Sequence, residues 1–249
     1  MPKIESAERP GVGLDGVPRP TEDRIVVLPN AVLLLDGATS PVPVERDGGW
    51  YSAVLAEALA AVVTARPHDD LADLLAAAVT DLVHRYGLVP GDSPSSTVAM
   101  LRWSGTTVDA LVLADSPVVA FGPAGVDVVA DTRLAELRGT VPRVTDRRNR
   151  EGGFWVAEAL PAAAHRAVVR SWPRAEVDSV LMATDGVSCG VDDYGLFTWQ
   201  EVLDLAESTG PEGVLDAVRE AELSDPDRTR WRRHKVHDDQ ALAVIRFAD

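Results

Sequence analysis

Apolar positions recur along the chain at two spacings. Arg24–Leu28 and Ala31–Leu35 are short aliphatic runs split by Pro29-Asn30, which predicts a β-hairpin. Trp50, Val54, Ala58, Leu59 and Val62, then Leu71, Leu74, Leu75, Ala78, Leu82 and Tyr86, fall at the spacing of two amphipathic helices. Four strand-like runs follow, Thr97–Trp103, Val108–Ala114, Val118–Phe121 and Val126–Ala130, with Gly, Ser or Pro between them. They predict an antiparallel meander. Thr140–Gly153 is charged and carries Gly and Asn, so it is expected as a mobile surface loop, and Pro161–Arg170 as a helix. Ser179–Thr184 predicts a buried strand, Trp199–Glu207 and Gly213–Leu223 two helices, and Gln240–Phe247 a final strand. Residues 1–18 are rich in Gly and Pro without a period and predict a loop-like lead-in. Helices do not alternate strictly with strands, so a layered α+β sandwich is expected rather than a doubly wound parallel sheet.

Composition bounds the class. The chain has 249 residues, 46% hydrophobic and 25% charged, enough for one sizeable core and unlike a disordered chain. A single domain over residues 1–249 is expected. Lys plus Arg number 24 and Asp plus Glu 39, a net charge of −15, so the surface repels nucleic acid and none is expected as a partner. No charge-free apolar run exceeds about a dozen residues, where a bilayer span needs roughly 20. Met1-Pro2-Lys3 opens without an apolar signal core. A cytoplasmic protein without a membrane partner is expected. The single cysteine, Cys189, excludes an internal disulfide and a thiolate metal cluster. Gly11-Val12-Gly13-Leu14-Asp15-Gly16 fits a dinucleotide-binding pattern, but that pattern needs a strand before it and a helix after it, and Pro10, Pro18 and Pro20 argue against both.

The chemistry lies where apolar runs meet acids. Ala31–Leu35 runs into Asp36-Gly37, Leu111–Ala114 into Asp115-Ser116, and Val180–Thr184 into Asp185-Gly186, while His237-Asp238-Asp239 stands just before the last strand. Each arrangement puts a carboxylate at the lip of a buried strand. A carboxylate taken partly out of water is costly unless backbone donors, an arginine or a cation compensates. Strand ends in a sandwich converge on one rim, where several acids repel one another, and a divalent cation resolves the conflict. An all-oxygen donor set suits Mg²⁺ or Mn²⁺. The glycines after Asp36 and Asp185 are expected to allow a left-handed turn and a close approach of the Gly37 carbonyl to a metal. Any one of these aspartates alone reads as a turn cap, because Asp-Gly is a common turn dipeptide. Four beside four aliphatic runs read as a site.

Thr21-Glu22-Asp23, Leu34-Leu35-Asp36-Gly37, Ser95-Ser96-Thr97-Val98, Leu113-Ala114-Asp115-Ser116, Met182-Ala183-Thr184-Asp185-Gly186 and Asp238-Asp239-Gln240-Ala241-Leu242 follow in that order. The set resembles the ordered motifs of the metal-dependent protein phosphatases of type 2C, from about residue 19 onward. The resemblance implies a four-layer α/β/β/α sandwich with two packed antiparallel sheets flanked by helices. It implies hydrolysis of phosphoserine and phosphothreonine esters in a phosphorylated protein or peptide by a water activated between two Mg²⁺ or Mn²⁺ ions. Asp36 would bridge the ions, the Gly37 carbonyl would serve one, and Asp185 and Asp238 would complete the other, with Asp115 at an additional, weaker site. Asp23 and Glu22 would hold metal-bound water, and Arg19 is the candidate to grip the phosphate. The sequence departs from the family where Thr39-Ser40 stand in place of two glycines, Ala114 in place of glycine, and Pro117 in place of arginine.

Three rival readings compete. Gly186-Val187-Ser188-Cys189-Gly190 matches the nucleophile elbow of a serine hydrolase, with Asp225 or Asp227 and His234 or His237 downstream, but Val191-Asp192-Asp193-Tyr194-Gly195 reads as a loop where that fold needs a helix. A cysteine-dependent phosphatase built on Cys189 would need arginine six positions on, and position 195 is glycine. A non-catalytic phosphatase-like binding or regulatory protein draws support from Thr39-Ser40, against the retained acids. The basic run Arg228–Lys235 reads as a solvated loop paired with acids, or as a docking surface for phosphorylated substrate whose contacts would include Arg232 and Arg233. His237 reads as a structural histidine or as a general acid.

Overall fold

The protein is described here by a computed structural model of residues 1–40 and 44–247. Its strands are β1 (Lys3–Arg9), β2 (Asp23–Leu28), β3 (Ala31–Asp36), β4 (Val98–Trp103), β5 (Thr107–Leu113), β6 (Val118–Gly122), β7 (Gly125–Val129), β8 (Val168–Pro173), β9 (Ser179–Ala183) and β10 (Gln240–Arg246). The helices are α1 (Gly48–Ala65), α2 (Leu71–Tyr86), α3 (Arg133–Leu137), α4 (Asp185–Asp192), α5 (Trp199–Thr209) and α6 (Pro211–Leu223). The strands form two antiparallel sheets of five, in the orders β1-β10-β9-β6-β7 and β2-β3-β4-β5-β8.

The period-2 alternation of the strands decides what lies where. Along β3, Val32 and Leu34, together with Ala99 and Leu101 of β4, face the other sheet and its Val180, Met182 and Ile245. Ala31, Leu33 and Leu35 point the opposite way, under α1 and α2. Leu181, Ala183, Leu242 and Val244 cover the outer face of the first sheet beneath α4, α5 and α6. Three apolar interfaces separate four layers, so the α+β sandwich of helices on two stacked sheets is the observed architecture. The helix ends are set locally. Asp47 caps α1 through the Trp50 N–H, Asp70 caps α2, and Gly87 ends α2 at φ 65°. Among the described residues α1 is the one helix long and apolar enough to cross a bilayer by length and composition, and its apolar face is covered by β3 and α2.

Several expectations are corrected. The lead-in of residues 1–18 contains β1, whose sequence carries Lys3, Glu5, Glu8 and Arg9 and buries only Ala7, as an edge strand can. It pairs with β10 from Lys3↔Arg246 to Arg9↔Gln240. A strand therefore does precede Gly11, but no helix follows it. The four-strand meander is split, because Ala114 takes φ 70° and the chain crosses from β5 in one sheet to β6 in the other. Pro161–Arg170 is a 3₁₀ helix over Pro161–Arg166 followed by edge strand β8, whose one buried side chain is Trp172. Thr140–Gly153 includes a 3₁₀ turn at Val144–Arg147, and its far end is tied down by Arg148 and Asn149, both bonded to buried Glu158. A helix, not a loop, follows β9.

Candidate metal centre

The two sheets deliver the acids to one rim. β3 and β5 run in the same direction, β3 ending at Asp36 and β5 leading into Asp115, while β9 leads into Asp185 and its antiparallel neighbour β10 begins after Asp238. All four line one open cavity of about 410 Å³, together with Gly37, Arg138, Arg148 and Lys235. Two acids come from each sheet. Among the described residues no three His, Cys, Asp or Glu side chains are drawn together closely enough to form a finished cage. The acids instead face one another across the cleft, and their mutual field is strong. Burial first, then the charges of Asp23, Asp185, Asp238 and Asp115, hold the Asp36 carboxyl well above its ordinary range. Burial, with Asp238 and Asp115, pushes Asp185 up to about 8. Burial likewise raises Asp115, against the pull of Arg138, whose Nη2 stands 3.2 Å from its Oδ2.

Each acid is held by its own element. Asp23 is fully buried directly across the hairpin from Asp36, in the register Asp23↔Asp36. Thr184 Oγ1 donates to Asp23 Oδ2 at 2.8 Å, and Asp23 Oδ1, though buried, has no partner. Thr97 accepts the Asp36 N–H at 3.1 Å and shares a 2.6 Å hydrogen bond with Ser116, and Ser96 Oγ donates to the Asp36 carbonyl at 2.8 Å. The Ser95-Ser96-Thr97 run thus couples the ends of β3 and β5. Ala114 N–H donates to Asp131 at 3.1 Å, fixing the left-handed turn ahead of Asp115. Glycine is the residue that takes this turn without cost, which is why alanine here is a departure. Glu22 accepts the Thr39 hydroxyl, and burial raises its carboxyl. Asp239 accepts the Gly11 N–H at 2.7 Å and the Glu22 N–H at 3.3 Å, so it ties the N-terminal segment to the site.

The glycines act by close approach, and the expected left-handed turn is absent from both. Neither Gly37 nor Gly186 has positive φ. A Cβ on Gly37 would lie 2.3 Å from the Gly48 carbonyl oxygen, and one on Gly186 would lie 1.8 Å from that of Asp239. Gly48 in turn packs on Ala38, where a Cβ would stand 2.3 Å from its carbonyl oxygen. Glycines do stand at Gly48 and Gly49, nine positions after Thr39 and Ser40, and Gly48 is pressed against the Gly37-Ala38 backbone.

The structure does not bring Arg19 to the cleft lining. Its guanidinium pairs with Asp15 at 3.3 Å and is 40% exposed. The basic run divides. Arg233 is spent on Asp225 at 2.8 Å and on loop carbonyls, Arg232 is exposed, and Lys235 Nζ stands 2.6 Å from Asp238 Oδ1. Burial pulls the Lys235 ammonium down, but Asp238, Asp239 and Asp36 outweigh it and hold it above its ordinary range. His237 Nδ1 lies 3.0 Å from Glu222, in a buried group with Arg219. Ser188 lies inside α4 bonded to Asp192, while Asp225 and His237 pair with Arg233 and Glu222, so neither is set to form a triad with Ser188. Burial pushes the Cys189 thiol up, away from the reactive thiolate. Sequence reasoning quoted Thr184 and Asp239 within the motifs without giving them a role, and took Lys235 only as the end of the basic run Arg228–Lys235. It missed Arg138, which nothing in the local pattern marks.

A stacked pair of antiparallel sheets with helices outside, and an acid-lined rim fed by both sheets, defines a phosphatase-like sandwich. The protein phosphatase 2C family model matches residues 19–224, and the chain belongs to that family. Asp36, Asp115 and Asp185 fall within the match and Asp238 beyond it. No curated protein matches the sequence. Among solved structures, the catalytic domain of the serine/threonine phosphatase PstP in complex with two manganese ions is 16% identical, with 100% of this chain and 99% of that chain covered and a TM-score of 0.63. The phosphatase Stp1 from Staphylococcus aureus is 12% identical over 100% of this chain and 96% of that one, with a TM-score of 0.64. The PPM phosphatase MsPP from Mycobacterium smegmatis, in complex with cacodylate, is 16% identical over 99% and 98%, with a TM-score of 0.61. At these identities the likeness is one of fold.

Proposed function

We propose that this protein is a metal-dependent phosphatase that hydrolyses phosphoserine and phosphothreonine esters in protein or peptide substrates. The observation that carries the reading is the convergence of Asp36, Asp115, Asp185 and Asp238, two from each sheet, on one open cleft. The residues fit divalent cations on two counts. The donor set is all oxygen, which suits Mg²⁺ or Mn²⁺, and buried Asp23 keeps an unpartnered oxygen at the same rim. Asp36, the Gly37 carbonyl, Asp185 and Asp238 are the ligands of two ions in this reading, and Asp115 serves an additional, weaker one. Such ions supply Lewis acidity, lowering the pKa of a water and neutralising charge on the phosphoryl oxygens.

The chain supplies position. Asp23 and Glu22 offer carboxylate oxygens to orient water at the rim, and Thr184 and Thr39 fix their side chains. Thr97 and Ser116 keep the Asp36 and Asp115 turns together. Neither Ser188 nor Cys189 is set up as a nucleophile, which supports direct attack by water without a phosphoenzyme. The purified chain is expected to hydrolyse p-nitrophenyl phosphate and a phosphothreonine peptide with Mn²⁺ and to stop in excess chelator. Turnover that survives the chelator, or none with Mn²⁺, refutes the reading.

A further inference from the structure

Lys235 lies where a cation is least expected on the proposed reading. Its ammonium is 2.6 Å from Asp238 Oδ1, its side chain is only 11% exposed, and it lines the same cleft as the four rim acids. Asp238 Oδ1 also accepts the Asp239 N–H at 2.9 Å. The other cationic side chains at the cleft are committed. Arg138 pairs with Asp115, and Arg148 with Glu158 and Ser95. The segment that carries Lys235 is anchored by Arg233, which bonds Asp225 and the carbonyls of Glu222, Asp225, Trp231 and Val236. Only the flexible lysine stem is therefore free to swing.

We propose that Lys235 is an internal competitor of the metal: its ammonium neutralises the acid rim through Asp238 and must withdraw from that carboxylate when a divalent ion binds there. The inference rests on the reading of Asp238 as a ligand given above. A unit positive charge within hydrogen-bond reach of a ligand oxygen repels an entering dication, and at the effective dielectric of a protein rim that repulsion reaches the scale of a tenfold change in affinity. The opposite role, a positioning hydrogen bond that holds Asp238 ready for the ion, predicts the opposite sign.

Calorimetric titration of the full chain with Mn²⁺ separates the two. Lys235→Met, which keeps the stem and removes the charge, is expected to bind Mn²⁺ about tenfold more tightly than the unmodified chain, and Lys235→Arg to bind as the unmodified chain does. Thermal melts give a second readout. In chelator Lys235→Met is expected to melt below the unmodified chain, and saturating Mn²⁺ to close or reverse that gap. Lys235→Gln provides a second neutral side chain should the methionine variant not fold. Equal or weaker Mn²⁺ binding by the neutral variants, with normal binding by the unmodified chain, overturns the role of Lys235 and leaves the metal reading standing. Failure of the unmodified chain to bind Mn²⁺ overturns both.

Discussion

Asp23, Asp36, Asp115 and Asp185 give up their protons less readily than ordinary carboxyls. Asp185 is pushed up to about 8, and Asp36 and Asp23 are raised as well, by burial and by one another. In an unfolded chain such groups ionise near pH 4, roughly the ordinary carboxyl value. Between those limits the folded protein binds more protons than the unfolded one, so its stability falls as the pH rises. Metal-stripped protein is therefore expected to melt at a higher temperature at pH 5 than at pH 8. Saturating Mn²⁺ should flatten that slope, because cations then neutralise the ionised acids. A melting temperature that climbs from pH 5 to pH 8 in chelator would contradict the crowding of these carboxylates.

At the level of the elements, the site depends on where strands stop and what presses on their ends. Gly37 is in backbone contact with the start of α1, so Gly37→Ala has no flexible neighbour to displace and is expected to cost about 2 kcal/mol or more in a urea titration. Ala114→Gly is expected to have the opposite sign, gaining about 1 kcal/mol, since it relieves an L residue at φ 70°. The elements legible in the sequence were those with strong periodicity: the β2–β3 hairpin, α1, α2, strands β4 to β7, β9, α5, α6 and β10. Edge strands β1 and β8 were not, because each buries one side chain and is polar or exposed elsewhere. The acids at strand ends were legible because each terminates or precedes an aliphatic run. Lys235 was legible only as the end of a basic run, and Arg138 not at all, because its place at the cleft follows from the fold of a distant loop and leaves no local pattern.

For the molecule as a whole, the N-terminal segment is part of the sandwich. β1 covers the edge of β10 along seven register pairs, and Gly11 then contacts Asp238 and bonds Asp239. Deleting residues 1–9 is expected to lower the melting temperature by several degrees and to promote association through the bared edge of β10, read by light scattering; an unchanged melt would return these residues to the status of a lead-in. The rim acids are divided evenly between the two sheets. On the proposed reading, the pair of ions held there would tie together the two leaves of the sandwich. A slippage of one leaf against the other, from repacking of Leu101 or Met182 far inside, would alter the spacing of that tie without touching a single ligand.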